Sequence, residues 1–188
     1  MKENRIVAIV GMCGSGKSIV TAVFESEGWQ KVHFGKVTMD EVSKRGMEVS
    51  EHNEEVIRNE LRSVHGMGAF AKLLLPTIEE KYAKGNVVLD GLYSFSEYEI
   101  LSARFGGVFD VLAVVGDRKT RYKRLETRQV RPLTPAEAES RDYSEIKRSE
   151  KGGPIAIADH FFVNNSDLAA FETKVAEFIR SNYMNPRK

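Results

Sequence analysis

The sequence predicts an α/β sandwich, a parallel sheet covered by helices on both faces. Three observations lead there. Short β-branched apolar runs alternate with longer segments of helical spacing along the chain. The β-runs are apolar throughout instead of alternating, as strands covered on both faces are. A glycine-rich turn joins the first run directly to the first helical segment.

In chain order, Arg5–Val10 (RIVAIV) reads as the first strand. Ser18–Glu27 follows as a helix with Ile19, Val20, Val23 and Phe24 on one face. Lys31–Phe34 is the second strand, and Asn53–Val64 a helix presenting Val56, Ile57, Leu61 and Val64. Ala69–Ala83 has the same spacing, and Val87–Asp90 and Phe109–Val115 are the next strands. Asp117–Arg128 is a basic helical segment. His160–Asn164 is the last strand and Leu168–Tyr183 the closing helix.

Gln129–Pro154 breaks the alternation with three of the five prolines, the Gly152-Gly153 pair and dense charge. Within it Pro135–Lys147 reads as a helix, with Thr134 as N-cap and Pro135 at the first helical position. Its flanks read as loops. A segment of this kind late in an α/β domain is a lid candidate, with Gly152-Gly153 as one hinge.

At 188 residues the chain fits one domain with a real core, spanning 1–188. Lys plus Arg total 28 against 27 acidic residues, a balance that argues against a nucleic-acid partner. The single cysteine, Cys13, excludes an internal disulfide and a cysteine-rich zinc site. No apolar run approaches a membrane span, so the expectation is a soluble cytoplasmic protein with no membrane partner.

Gly11-Met12-Cys13-Gly14-Ser15-Gly16-Lys17-Ser18 fits the phosphate-loop pattern G-x-x-x-x-G-K-[ST], with a strand before it and a helix after. Gly11, Gly14 and Gly16 let the backbone curl so that successive N–H groups, Ser15 among them, face phosphate oxygens. The helix start adds the positive end of its dipole. Lys17 would reach the terminal phosphates, and the Ser18 hydroxyl would join a Mg2+ shell. Val87–Asp90 followed by Gly91 reads as the second half of the site, a buried strand ending in a carboxylate that organises magnesium. The expected ligand is ATP with Mg2+. A guanine-reading Asn-Lys-x-Asp segment is missing; the nearest stretch, Asn164-Asn165-Ser166-Asp167, lacks the lysine.

Arg121, Arg124 and Arg128, spaced i, i+3, i+7, are expected to share one helix face. Arg124 and Arg128 are the expected catalytic pair beside Lys17 and Asp90, since arginines at a lid hinge can offset charge on a transferring phosphoryl group. Arg131 is a further candidate within the lid. The histidines His33, His52, His65 and His160 share no ligand spacing, so no metal other than magnesium is expected.

The phosphate loop, Leu89-Asp90-Gly91, Arg124-Leu125-Glu126-Thr127-Arg128 and Ala158-Asp159-His160-Phe161-Phe162-Val163-Asn164-Asn165 appear in the order seen in a known group of enzymes. The chain resembles the nucleoside-monophosphate-kinase group of P-loop kinases, near dephospho-CoA kinase and adenylate-kinase-like proteins. That resemblance implies a three-layer P-loop NTPase fold with a five-stranded parallel sheet. It also implies a helical acceptor-binding insertion at Gly35–Lys84, a lid at Gln129–Pro154, and Asn165 near the adenine. The implied activity is transfer of the ATP γ-phosphate to a small-molecule acceptor such as dephospho-CoA or a nucleoside monophosphate.

Two positions depart from the group. Gly35–Asp40 carries no arginine after the second strand, and Leu92-Tyr93-Ser94-Phe95 carries none after the Asp-Gly. Lys36, Lys44, Arg45, Arg58 and Arg62 are the cations available to replace them. The departures keep a second reading open, a nucleotide-binding regulatory ATPase that contacts a protein through its insertion and lid.

Overall fold

A computed structural model describes residues 3–184. The outermost positions of the expected 1–188 domain, 1–2 and 185–188, lie outside the described residues. The strands are β1 (Ile6–Val10), β2 (Gln30–His33), β3 (Val87–Asp90), β4 (Phe109–Val115) and β5 (His160–Val163). The helices are α1 (Lys17–Ser26), α2 (Lys36–Lys44), α3 (Glu51–His65), α4 (Ala69–Lys84), α5 (Phe95–Phe105), α6 (Arg118–Thr127), α7 (Pro135–Lys147), α8 (Gly152–Ala156) and α9 (Leu168–Ile179).

The sheet is five-stranded in the order β2-β3-β1-β4-β5, and every pairing is parallel. β1 sits at the centre with all five residues fully buried, because both of its faces meet helices. On one face Ile6, Ala8 and Val10 join Leu89 and Val111 in packing against Phe70, Leu74 and Ile78 of α4 and Leu101 of α5. On the other, Val7 and Ile9 meet Val20 and Phe24 of α1 and Phe171, Val175 and Ile179 of α9. This is the three-layer arrangement expected from the sequence. Among the described residues, no helix is long and apolar enough to cross a membrane.

Several boundaries moved for identifiable reasons. The Ser50 side chain accepts from the Asn53 N–H, so α3 starts at Glu51 instead of Asn53. Between β2 and β3, α4 packs on the sheet as the crossover helix, leaving α2 and α3 to stand off it. The residues after Lys147 are not all loop: Gly152–Ala156 forms α8, and a Cβ at Gly153 would lie 2.8 Å from Phe95 of α5. Gly153 is therefore seated against α5, whereas a Cβ at Gly152 would meet nothing within 4 Å. β5 is an edge strand with Phe161 and Val163 exposed, so it is not covered on both faces. The closing helix changes to a π turn at Arg180–Met184, where Tyr183 folds back on Trp29 with ring centroids 5.2 Å apart.

Candidate functional site

The carboxyl ends of β1, β3 and β2 bring Gly11, Asp90 and His33 to one edge of the sheet, since Ile9 and His33 both pair with Asp90. In an open parallel sheet this edge, beside the central strand where the order reverses, is where ligands bind. The residues from Gly11 to Gly16 form the loop between β1 and α1. Gly16 lies in the left-handed region at φ 101°, and a Cβ there would run into the Asn164 amide, so glycine is required on both counts. Gly14 has φ 76°, and its Cβ would lie 2.8 Å from the Arg121 carbonyl oxygen.

Lys17 folds under the loop and donates to the carbonyls of Gly11 (2.8 Å) and Met12 (3.1 Å). Burial, followed by the nearby Lys151 ammonium, lowers its pKa from 10.5 to about 8. Ser15 is fully buried; its carbonyl accepts from Asn164 Nδ2 at 2.8 Å. Ser18 is exposed at the start of α1. Asp90 accepts from His33 Nδ1 at 3.1 Å through Oδ2. Burial pushes the Asp90 carboxyl up, but the His33 hydrogen bond and the charges of His33, Lys31 and Lys17 prevail and hold it below the ordinary range.

The basic helix does not behave as its spacing suggests. α6 ends at Thr127 and Arg128 is extended, so Arg128 leaves the face shared by Arg121 and Arg124. Its Nε donates to the Arg131 carbonyl at 2.5 Å. Arg124 donates to the Asn164 carbonyl (3.0 Å) and side chain (3.3 Å), bracing the residue that holds Ser15. Arg121 is buried, donates to the Cys13 carbonyl (2.8 Å) and makes a two-pronged pair with Asp142 (2.9 and 2.5 Å). Asn165 Oδ1 accepts from the Asp117 N–H at 3.0 Å, fixing the turn after β4.

A cleft of 730 Å³ opens beside the loop, between α2 and α3 on one side and α7 with its flanks on the other. Among the described residues it is lined by seven cations (Arg58, Arg62, Arg131, Arg141, Lys147, Arg148, Lys151) and four carboxylates (Glu54, Glu55, Glu137, Glu145). Of the five replacement cations suggested by sequence, Arg58 and Arg62 reach this cleft. Lys36 pairs with Asp40, Lys44 with Glu41, and Arg45 with Glu41 and Glu60, away from it. Arg62 is largely buried over the Phe70 ring, and its Nε has no acceptor among the described residues. The segment after α6 reaches α3 through Arg131–Glu54 (2.7 Å) and Arg148–Glu55 (3.7 Å).

Sequence reasoning gave no role in the site to His33, Tyr93, Glu145 or Lys151. Glu145 accepts from the Cys13 N–H at 3.0 Å and pairs with Lys151 at 2.7 Å, which puts both at the mouth of the loop. No spacing rule marks such residues; the contacts cross from one segment to another.

The donor chemistry fits Mg2+. The Ser18 hydroxyl and the Asp90 carboxylate are hard oxygen ligands, and magnesium takes few of these when phosphates and water supply the rest. No cluster of three or more His, Cys, Asp or Glu that could hold a metal occurs among the described residues.

No family model matches the chain. Among known proteins it is 34% identical over 182 residues to a UPF0200 protein of Thermococcus gammatolerans, covering 93% of each. It is 37% identical over 169 residues to a UPF0200 protein of Aeropyrum pernix, covering 89% of this chain and 88% of that one. Its fold is similar to TT1252 from Thermus thermophilus, with TM-score 0.65 and 18% identity over 95% of this chain and 97% of that one. It is also similar to a shikimate kinase from Acinetobacter baumannii in complex with shikimate, with TM-score 0.59 and 16% identity over 97% and 96% of the two chains. The fold is the three-layer P-loop NTPase fold that these structures share, and on its sequence the chain belongs to the UPF0200 family.

Proposed function

We propose that the protein is an ATP-dependent small-molecule kinase. In this reading the γ-phosphate of Mg-ATP passes to an anionic, nucleotide-like acceptor such as dephospho-CoA or a nucleoside monophosphate, in the cytoplasm. The observation that carries it is a cleft rich in arginine and lysine, joined to the phosphate loop where its lining residue Glu145 accepts from the Cys13 N–H, with the anionic Asp90 at the sheet edge the loop follows.

The loop amides and Lys17 hold the donor phosphates, and Lys17 can leave the Gly11 and Met12 carbonyls for them. Ser18 and Asp90 are the residues that would hold magnesium, which when bound offsets phosphate charge. Arg58 and Arg62 hold the acceptor's acidic group. The acceptor oxygen bonds the γ-phosphorus as the bond to the leaving ADP oxygen breaks, its electron pair staying on ADP. The acceptor hydroxyl proton passes to a carboxylate or phosphate oxygen, with Asp90 placed to orient it. Arg124 and Asn165 support the loop and the adenine side, and Arg128 serves a lid formed by Gln129–Pro154.

The test is phosphoryl transfer from radiolabelled ATP to a panel containing dephospho-CoA and the nucleoside monophosphates. A labelled product that depends on one acceptor supports the reading. In that assay Asp90→Asn should lower turnover by roughly 10²-fold while changing ATP affinity far less. Hydrolysis that no acceptor stimulates would overturn it in favour of a regulatory ATPase.

A further inference from the structure

The phosphate loop already holds an anion of the protein's own making. The Glu145 carboxylate, on α7, is buried; one oxygen accepts from the Cys13 N–H at 3.0 Å and the other lies 2.7 Å from the Lys151 ammonium. Burial pushes this carboxyl up, but Lys151, Lys17 and Arg141 outweigh it and keep the group ionised. A backbone amide of a phosphate loop and a buried ammonium are the donors a phosphate oxygen seeks.

Lys151 is itself built in. It is buried, its backbone N–H donates to the Glu145 carbonyl at 3.1 Å, and its ammonium stands 5.3 Å from the centre of the Tyr93 ring. By contrast Arg121 is tied to Asp142 and Arg124 to Asn164. The direction of the loop says which phosphate is involved. Its Ser15–Gly16 end is packed on Asn164, whereas its Cys13 end meets Glu145, whose partner is Lys151, and both of these line the acceptor cleft. The phosphate nearest that cleft is the terminal one, the one to be transferred.

We propose that Glu145 holds the place of the terminal phosphate in the empty loop, and that Lys151 is a catalytic residue that binds this phosphate once nucleotide displaces the carboxylate. This rests on the kinase reading for the identity of the ligand. A γ-phosphate and the Glu145 carboxylate cannot share one amide and one ammonium, since two anions at that separation repel strongly where water is excluded. Glu145 must leave as ATP enters. Lys151, held by its own backbone bond and the Tyr93 ring, stays to offset charge on the phosphoryl group in transfer. ADP, lacking the terminal phosphate, leaves the Glu145–Lys151 pair intact.

The test is calorimetric titration of the full chain with Mg-ATP and with Mg-ADP. Glu145→Gln removes the competing charge and keeps the shape; it should tighten ATP by about fivefold and change ADP less than about twofold. Lys151→Met leaves Glu145 buried and unpaired and can fail to fold, so the decisive variant is the double change E145Q/K151M, which buries no lone charge. It should bind ADP as the wild type does and lose about tenfold or more in ATP affinity relative to E145Q. If neither variant alters the preference for ATP over ADP, the inference is wrong; loss of both nucleotides in Lys17→Ala would show that the loop reading survives it. A wild-type protein that binds neither nucleotide would overturn the kinase reading and the inference together.

Discussion

Glu97 shows how burial at a single residue becomes a measurable property of the whole chain. Its carboxyl closes the capping box of α5, one oxygen accepting from the Tyr93 and Ser94 N–H groups at 2.8 and 3.1 Å, and the other buried with no hydrogen-bond partner among the described residues. Burial outweighs those hydrogen bonds and the Arg62 and Lys151 charges, raising the pKa from 4.5 to about 7. Between those values the unfolded chain gives up the proton and the folded chain keeps it, so stability falls as pH rises from 4.5 to 7 and levels off above. The loss is on the order of 3 kcal/mol at about 1.4 kcal/mol per unit. Glu97→Gln keeps the acceptor oxygen and should flatten that slope in denaturant melts recorded across the range; an unchanged slope would place the titration elsewhere. At this scale the sequence was legible where a motif binds residue type to backbone shape, as at Gly16 and Lys17. It was not legible at Lys151, one of 28 cationic residues, because its role comes from a contact with Glu145. Arg128 misled because the spacing rule assumes a helix that in fact stops at Thr127.

Helix α7 is held to the phosphate loop from two sides, by Glu145 on the Cys13 N–H and by Asp142 on Arg121, whose guanidinium also reaches the Cys13 carbonyl. The Arg121–Asp142 pair is almost wholly removed from solvent. Asp142→Ala leaves a buried guanidinium with only the Cys13 carbonyl, which should cost about 3 kcal/mol in denaturant unfolding. A loss under about 1 kcal/mol, the range of an exposed pair, would mean that α7 is not anchored there. The helix itself was readable from Thr134 as N-cap and Pro135 at its start, and in the structure Glu137 completes that cap as a capping box. Helix α5 carries an equally plain signal in Ser94-Phe95-Ser96-Glu97, a capping box that pattern reading for apolar stripes passes over. Helices α2 and α8 have no side-chain cap at all, and each depends on neighbours that only the folded chain provides.

Across the whole molecule, the strand order puts β1 between β3 and β4 and so collects the phosphate loop, Asp90, His33 and Asn164 at one edge. The layered class followed from periodicity, but the order β2-β3-β1-β4-β5 did not; the five-strand expectation came from resemblance to a kinase group. The same resemblance supplied the insertion, of which α4 proved to belong to the core. The central claim is that this edge binds nucleotide phosphate. Its most direct test is the melting temperature of the full chain with and without Mg-ATP, for the wild type and for Lys17→Ala. Binding at a hundredfold excess over Kd stabilises by about 2.7 kcal/mol, or about 5–10 °C for a chain of this size. The wild type should show that rise, and Lys17→Ala should melt normally without ligand and lose most of the rise with it. An equal rise in both proteins would mean that ATP binds away from the loop and would contradict the account.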